Sequence, residues 1–102
     1  MITFESFNEL VRYVKARPSI SYLLGFMSTV IDKEAEVLCT IDRKRGATLI
    51  EDNIVFAENS LVKCINKCMG DEEVHPSHLV LRRLMSEASV ISNVIKEENR
   101  HE

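Results

Sequence analysis

An all-α fold, an antiparallel bundle of about four helices, is what this 102-residue chain predicts from three features. Glycine and proline are scarce, three and two residues, and four of the five fall where a helix would have to begin or end. Apolar residues recur at spacings of three and four over long stretches, the period of a helix rather than the alternation of a strand. Serine or threonine followed three residues later by glutamate occurs at two of the expected helix starts, an arrangement in which each side chain satisfies a backbone amide.

The first helix is expected over residues 5–16. Ser6 and Glu9 form its capping box, Phe4, Phe7, Leu10, Val11 and Val14 share one face, and Pro18 ends it by disfavouring helical geometry at Arg17. The second, residues 19–45, carries the clearest pattern. At about 100° per residue, Ile20, Leu23, Leu24, Met27, Val30, Ile31, Ala35, Leu38 and Ile41 form one seam, with Thr29, Asp32, Lys33, Glu36 and Thr40 on the other side. Gly25 is either a tolerated defect inside this helix or a point of close helix contact. The basic run Arg43, Lys44, Arg45 before Gly46 suits the negative end of a helix dipole better than a nucleic-acid patch.

A third helix is expected over residues 49–69, opened by a Thr48 and Glu51 capping box, burying Ile54, Ala57, Leu61, Ile65 and Cys68, and stopped at Gly70. The fourth, residues 77–97, opens at Pro76 and Ser77 and presents Val80, Leu81, Leu84, Met85, Ala88, Ile91 and Ile95 on one face, before a frayed polar tail over 97–102. Short connections favour antiparallel neighbours, so an up-down bundle follows, completed by dimerisation if its apolar faces exceed what one chain can bury. The rival reading makes 37–41, 47–50 and 54–57 short strands around a 42–46 hairpin loop. It conflicts with the helical period of the seam through Ile41.

Composition bounds the function. One domain of ordinary globular make-up fits 102 residues with 45% hydrophobic and 28% charged side chains. A net charge of −3 offers phosphates no attractive field, which argues against nucleic acid and for a partner with a basic surface. No apolar run approaches the length of a membrane span, and no basic segment precedes one at the N-terminus, so neither membrane nor export is expected. Three cysteines, an odd number, fit free thiols in the reducing cytoplasm.

Chemistry-bearing residues are sparse. Cys64, Cys68, His75 and His78 carry four donors that zinc could use, yet their spacing matches no familiar finger, and core thiols with surface histidines explain them more simply. Glu34, Glu58 and Glu87 sit near apolar stripes, where facing carboxylates could hold Mg²⁺ as in all-α nucleotide hydrolases. The paired acidic motifs of such enzymes are missing, and a salt bridge to Arg82, Arg83 or a partner chain accounts better for a carboxylate in that setting. Ser77 reads as a helix cap rather than a nucleophile. Tyr13, Tyr22 and Phe26 fall outside the main stripes and, as exposed aromatics, are candidates for a contact patch; Tyr22, Phe26 and Val37 form a second apolar strip behind the seam of the second helix, which either the first helix or an external partner must cover. The resulting expectation is a small cytoplasmic interaction protein, an adaptor, inhibitor or immunity-type module and a homodimer, without cofactor or catalytic centre.

Overall fold

The computed structural model describes residues 2–41, 50–71 and 79–100, and these form an all-α bundle. Its helices are α1 (Phe7–Lys15), α2 (Leu23–Ile41), α3 (Ile50–Met69) and α4 (Leu79–Arg100). The rival strand reading is overturned where it can be followed, because residues 37–41 and 54–57 are helical. The Thr48 and Ser77 caps, the basic run at 43–45 and the expected end of the second helix at 45 lie outside the described residues.

α1 starts as its capping pattern dictates. Ser6 takes an extended conformation and its hydroxyl accepts the Glu9 amide at 3.2 Å. The return bond lands one residue early, on the Glu5 amide at 3.3 Å. The second helix does not begin at residue 19. Pro18–Ile20 form a separate 3₁₀ turn, closed by the Ile20 amide on the Arg17 carbonyl (3.1 Å), and α2 follows from Leu23. Proline at the first position of that turn lacks only an amide that would be unpaired there, and the tight turn buries Ile20. Gly25 is no point of close helix contact: nothing stands within 4 Å of where its β-carbon would be.

α3 ends at Met69, directly before the expected glycine, and Asp71 beyond it takes a left-handed conformation with φ 54°. Aspartate tolerates that region better than most side chains. α4 continues to Arg100, so the stretch expected to fray from residue 97 is helical through 100.

Helix directions follow from side-chain pairs. Ser19 donates to Glu98, and Arg83 Nε donates to Glu34 at 2.9 Å, so ascending residues of the 3₁₀ turn and α2 meet descending residues of α4, and α2 and α4 run antiparallel. Asn53 Nδ2 reaches Cys39 Sγ at 3.0 Å, which places α2 and α3 as an antiparallel pair joined near that contact. Lys96 Nζ bonds Asp71 at 2.8 Å, while Leu81 shares a groove with Phe56, Ser60 and Lys63, so α3 and α4 run in the same direction. This last pairing departs from the up-down order expected of short connections. An extended connection of nine residues can reach about 30 Å, the length of a 20-residue helix, so it does not force neighbours to be antiparallel.

α3 is the central rod, packed along both α2 and α4. It therefore buries a wider arc than one stripe predicts: Asn53, Ser60, Val62, Cys64 and Met69 join Ala57, Leu61 and Ile65, while Ile54 and Cys68 are half-buried. On α2 the seam buries Leu23, Met27, Ile31 and Ala35, leaves Leu24, Val30 and Leu38 half-buried, and exposes Ile41, its last described residue. α1 lies over the α2–α3 groove, where Phe7 and Val11 meet Leu24, Met27, Ile31 and Ile54. Between α2 and α4 contact is sparse, and that side stays open.

Candidate functional site

The open side is a groove of about 400 Å³. α2 contributes Phe26, Thr29, Val30, Lys33, Glu34 and Val37, and α4 contributes Arg83, Leu84 and Glu87. The α2 residues recur at spacings of three and four, so one helix wall presents them all. Tyr22, one turn before Phe26, extends the same strip and is 63% exposed. Phe26 is 38% exposed, against a core in which Leu10, Leu61 and Ile65 show no surface at all. Of the residues singled out on this side of the second helix, Phe26 and Val37 line the groove. The residues of α1 line the other groove, with Leu24, Met27 and Ile31, so α1 does not cover it.

The polar part of the groove is ordered around one ion pair. Glu34 is buried, with its side chain 6% exposed against 26% for Arg83. Arg83 Nε and Nη2 both donate to Glu34 Oε1, and Nε also approaches Oε2 at 3.2 Å. A planar fork on a carboxylate is the geometry that best offsets desolvation. The salt bridge to Arg83 is thus the one the sequence offered as an explanation for Glu34. One turn along α4, Glu87 has its Oε2 buried and without a hydrogen-bond partner among the described residues. Lys33 stands exposed on the opposite wall, and no ion pair joins it to Glu87 among the described residues.

The three carboxylates singled out from the sequence are divided. Glu34 and Glu87 share the α2–α4 groove, whereas Glu58 lies in the groove under α1, beside Asp32. Burial pushes the Glu58 carboxyl above its ordinary 4.5. A raised carboxyl favours the folded state below that ordinary value, and the advantage is lost as pH rises through the folded one. Glu58→Gln is accordingly expected to raise the thermal midpoint at neutral pH and to leave it unchanged in acid below 4.5. Circular-dichroism melts at the two pH values check this, and equal shifts at both would count against it.

Cys64 is a core thiol. Its Sγ lies 3.8 Å from the Leu81 carbonyl, and burial, reinforced by Cys68, pushes the thiol up to about 11. Zinc would need it as a thiolate. Cys68 is half-buried beside it, and His75 and His78 lie outside the described residues. Among the described residues no three His, Cys, Asp or Glu side chains converge on one point.

Tyr13 is occupied within the fold. Its ring meets Phe4 edge-on at 5.3 Å, Arg17 lies 3.6 Å over its face, and its hydroxyl donates to Asn99 at 2.7 Å. The strip reading omitted Lys33, Thr29 and Leu84. Lys33 was legible: at about 100° per residue it falls between Tyr22 and Phe26 around the helix.

The fold and groove together define an all-α bundle with an open amphipathic face between two antiparallel helices. No protein-family model, curated protein or solved structure matches the chain. No helix among the described residues is long and apolar enough to cross a membrane.

Proposed function

We propose that this chain is a small protein-interaction module, of adaptor, inhibitor or immunity type, that acts through the α2–α4 face. The observation that carries this reading is the strip of Tyr22, Phe26, Val30 and Val37, which the chain's own α1 leaves uncovered. A contiguous apolar strip rimmed by charges is a contact surface by its chemistry, because aromatic and aliphatic side chains supply most of the energy of protein association. The net charge of −3 favours basic protein surfaces over nucleic acid. Three free cysteines support a reducing, cytoplasmic setting.

The test is comparative co-purification from the native host. Tagged wild type retains its partner, and Phe26→Asp with Val37→Asp lowers the retained amount at least about tenfold, as a charge forced into a contact centre should. Unchanged far-ultraviolet circular dichroism shows that the variant is folded. A folded variant that keeps the same bound protein at wild-type yield removes the α2–α4 face from the proposal.

A further inference from the structure

We infer that the occupant of the α2–α4 face is a second copy of this chain, related by a two-fold axis running along the groove. This rests on the reading of that face as a contact surface and names what it contacts. Three observations lead to it.

The first is the number of long helices. α2, α3 and α4 have 19, 20 and 22 residues, whereas α1 has nine and lies over the α2–α3 side. The α2–α4 side therefore has no helix of this chain laid along it among the described residues. The strip from Tyr22 to Val37 is about 22 Å long, and two helices side by side are about 20 Å wide. The outline of such a face is on the order of 440 Å², about half of the roughly 800 Å² of accessible surface that each partner of a standard interface buries.

The second is charge. The groove walls are opposite in sign around the central Glu34–Arg83 pair: Lys33 projects from α2 and Glu87 from α4. A uniformly basic partner would meet repulsion at Lys33, and a uniformly acidic one at Glu87. A second copy matches each to its opposite, because the two-fold axis sets α2 of one protomer against α4 of the other. The Glu87 carboxylate, half-buried on the groove wall and with one oxygen lacking a hydrogen bond among the described residues, then has a cation beside it.

The third is register. Glu34 of α2 stands level with Arg83 of α4, and Ser19 in the preceding 3₁₀ turn stands level with Glu98. A two-fold axis parallel to the helices preserves those levels, so Lys33 of one copy faces a position one turn from Glu87 of the other, within the reach of a lysine side chain. The four rods at the interface, α2 and α4 from each copy, alternate in direction. Each neighbouring pair then has opposed helix dipoles and short-range knobs-into-holes packing.

The test uses charge reversal and the mass of the full chain in solution. By sedimentation equilibrium at about 100 µM, wild type is expected at twice the 11.7 kDa chain mass. Lys33→Glu places two glutamates opposite each other at both symmetric contacts, and Glu87→Lys two lysines, so each variant alone weakens the dimer at least about tenfold. Mixed in equal amounts, the two restore the dimer, since each then meets its opposite at both contacts; misfolding of either variant could not produce that rescue. Wild type at single-chain mass, reversals that dimerise like wild type, or a mixture no heavier than its parts would each overturn the inference. A monomeric wild type whose bound host protein is lost with Phe26→Asp would overturn the second copy and leave the interaction reading intact. A charge-rescued dimer with no other protein bound would support the second copy and confine the interaction to self-association.

Discussion

Arg83→Met is expected to destabilise the chain by about 3 kcal/mol, lowering its thermal midpoint on the order of 10 °C. The reason is asymmetric burial. Glu34 has its side chain 6% exposed, and Arg83 is the only cation that bonds it among the described residues. Removing the guanidinium leaves a mostly buried carboxylate with no cation bonded to it among the described residues. The companion variant decides the cause: Glu34→Met together with Arg83→Met removes both charges and keeps their volume, and is expected near or above wild-type stability. Urea unfolding of the single and double variants measures the difference. If the double variant were as unstable as Arg83→Met alone, Arg83 would be acting through its stem packing, and the ion pair would contribute nothing net. Added salt is expected to change the wild-type value little, since Debye screening reaches buried pairs weakly.

The four helices and most of their buried faces were legible because period alone carries them. Leu23, Met27, Ile31 and Ala35 are buried in α2, and Val80, Leu84, Ala88, Ile91 and Ile95 in α4, as the 100° spacing requires. α3 was read too narrowly. A central helix packs on two sides, and small or polar side chains such as Ser60, Cys64 and Asn53 fill the second side without registering as hydrophobic periodicity. The direction of α4 was not legible either, because connection length limits how far the chain can reach and says little about which way it turns. The Lys96–Asp71 bond is a long-range fact of the fold. Tyr13 looked exposed for a related reason: the ring that covers it, Phe4, precedes α1 and folds back through contacts with α3. Within the groove, the strip on α2 was readable from one helix. Its opposite wall became visible only once α4 was placed beside it, which brought Glu34 and Glu87 together and left Glu58 apart.

The contact that folds Phe4 back carries the second large expected effect. Asn66, half-buried on α3, uses both halves of its amide on one residue 62 positions away: the Phe4 amide donates to Oδ1 at 2.8 Å, and Nδ2 donates to the Phe4 carbonyl at 2.7 Å. The pair imitates one rung of a sheet, with a side chain in place of a strand. It anchors an extended segment that a helix bundle has no ladder to hold. Phe4 is 4% exposed, so its backbone groups have little access to water if the amide is lost. Asn66→Ala is therefore expected to cost about 2 kcal/mol, from unsatisfied backbone groups and loosened packing of the Phe4 ring. Asn66→Asp keeps the acceptor and loses the donor, facing a carboxylate with the Phe4 carbonyl, and is expected to be at least as damaging. The distinctive readout is local. With the Phe4 ring freed, Tyr13 loses its edge contact, so tyrosine fluorescence and proteolysis within residues 2–6 should change at denaturant concentrations where the α2–α3 helices remain intact. A variant that unfolded only globally, with the N-terminal segment as protected as in wild type, would show that Phe4 is held by its ring alone and that the amide is incidental.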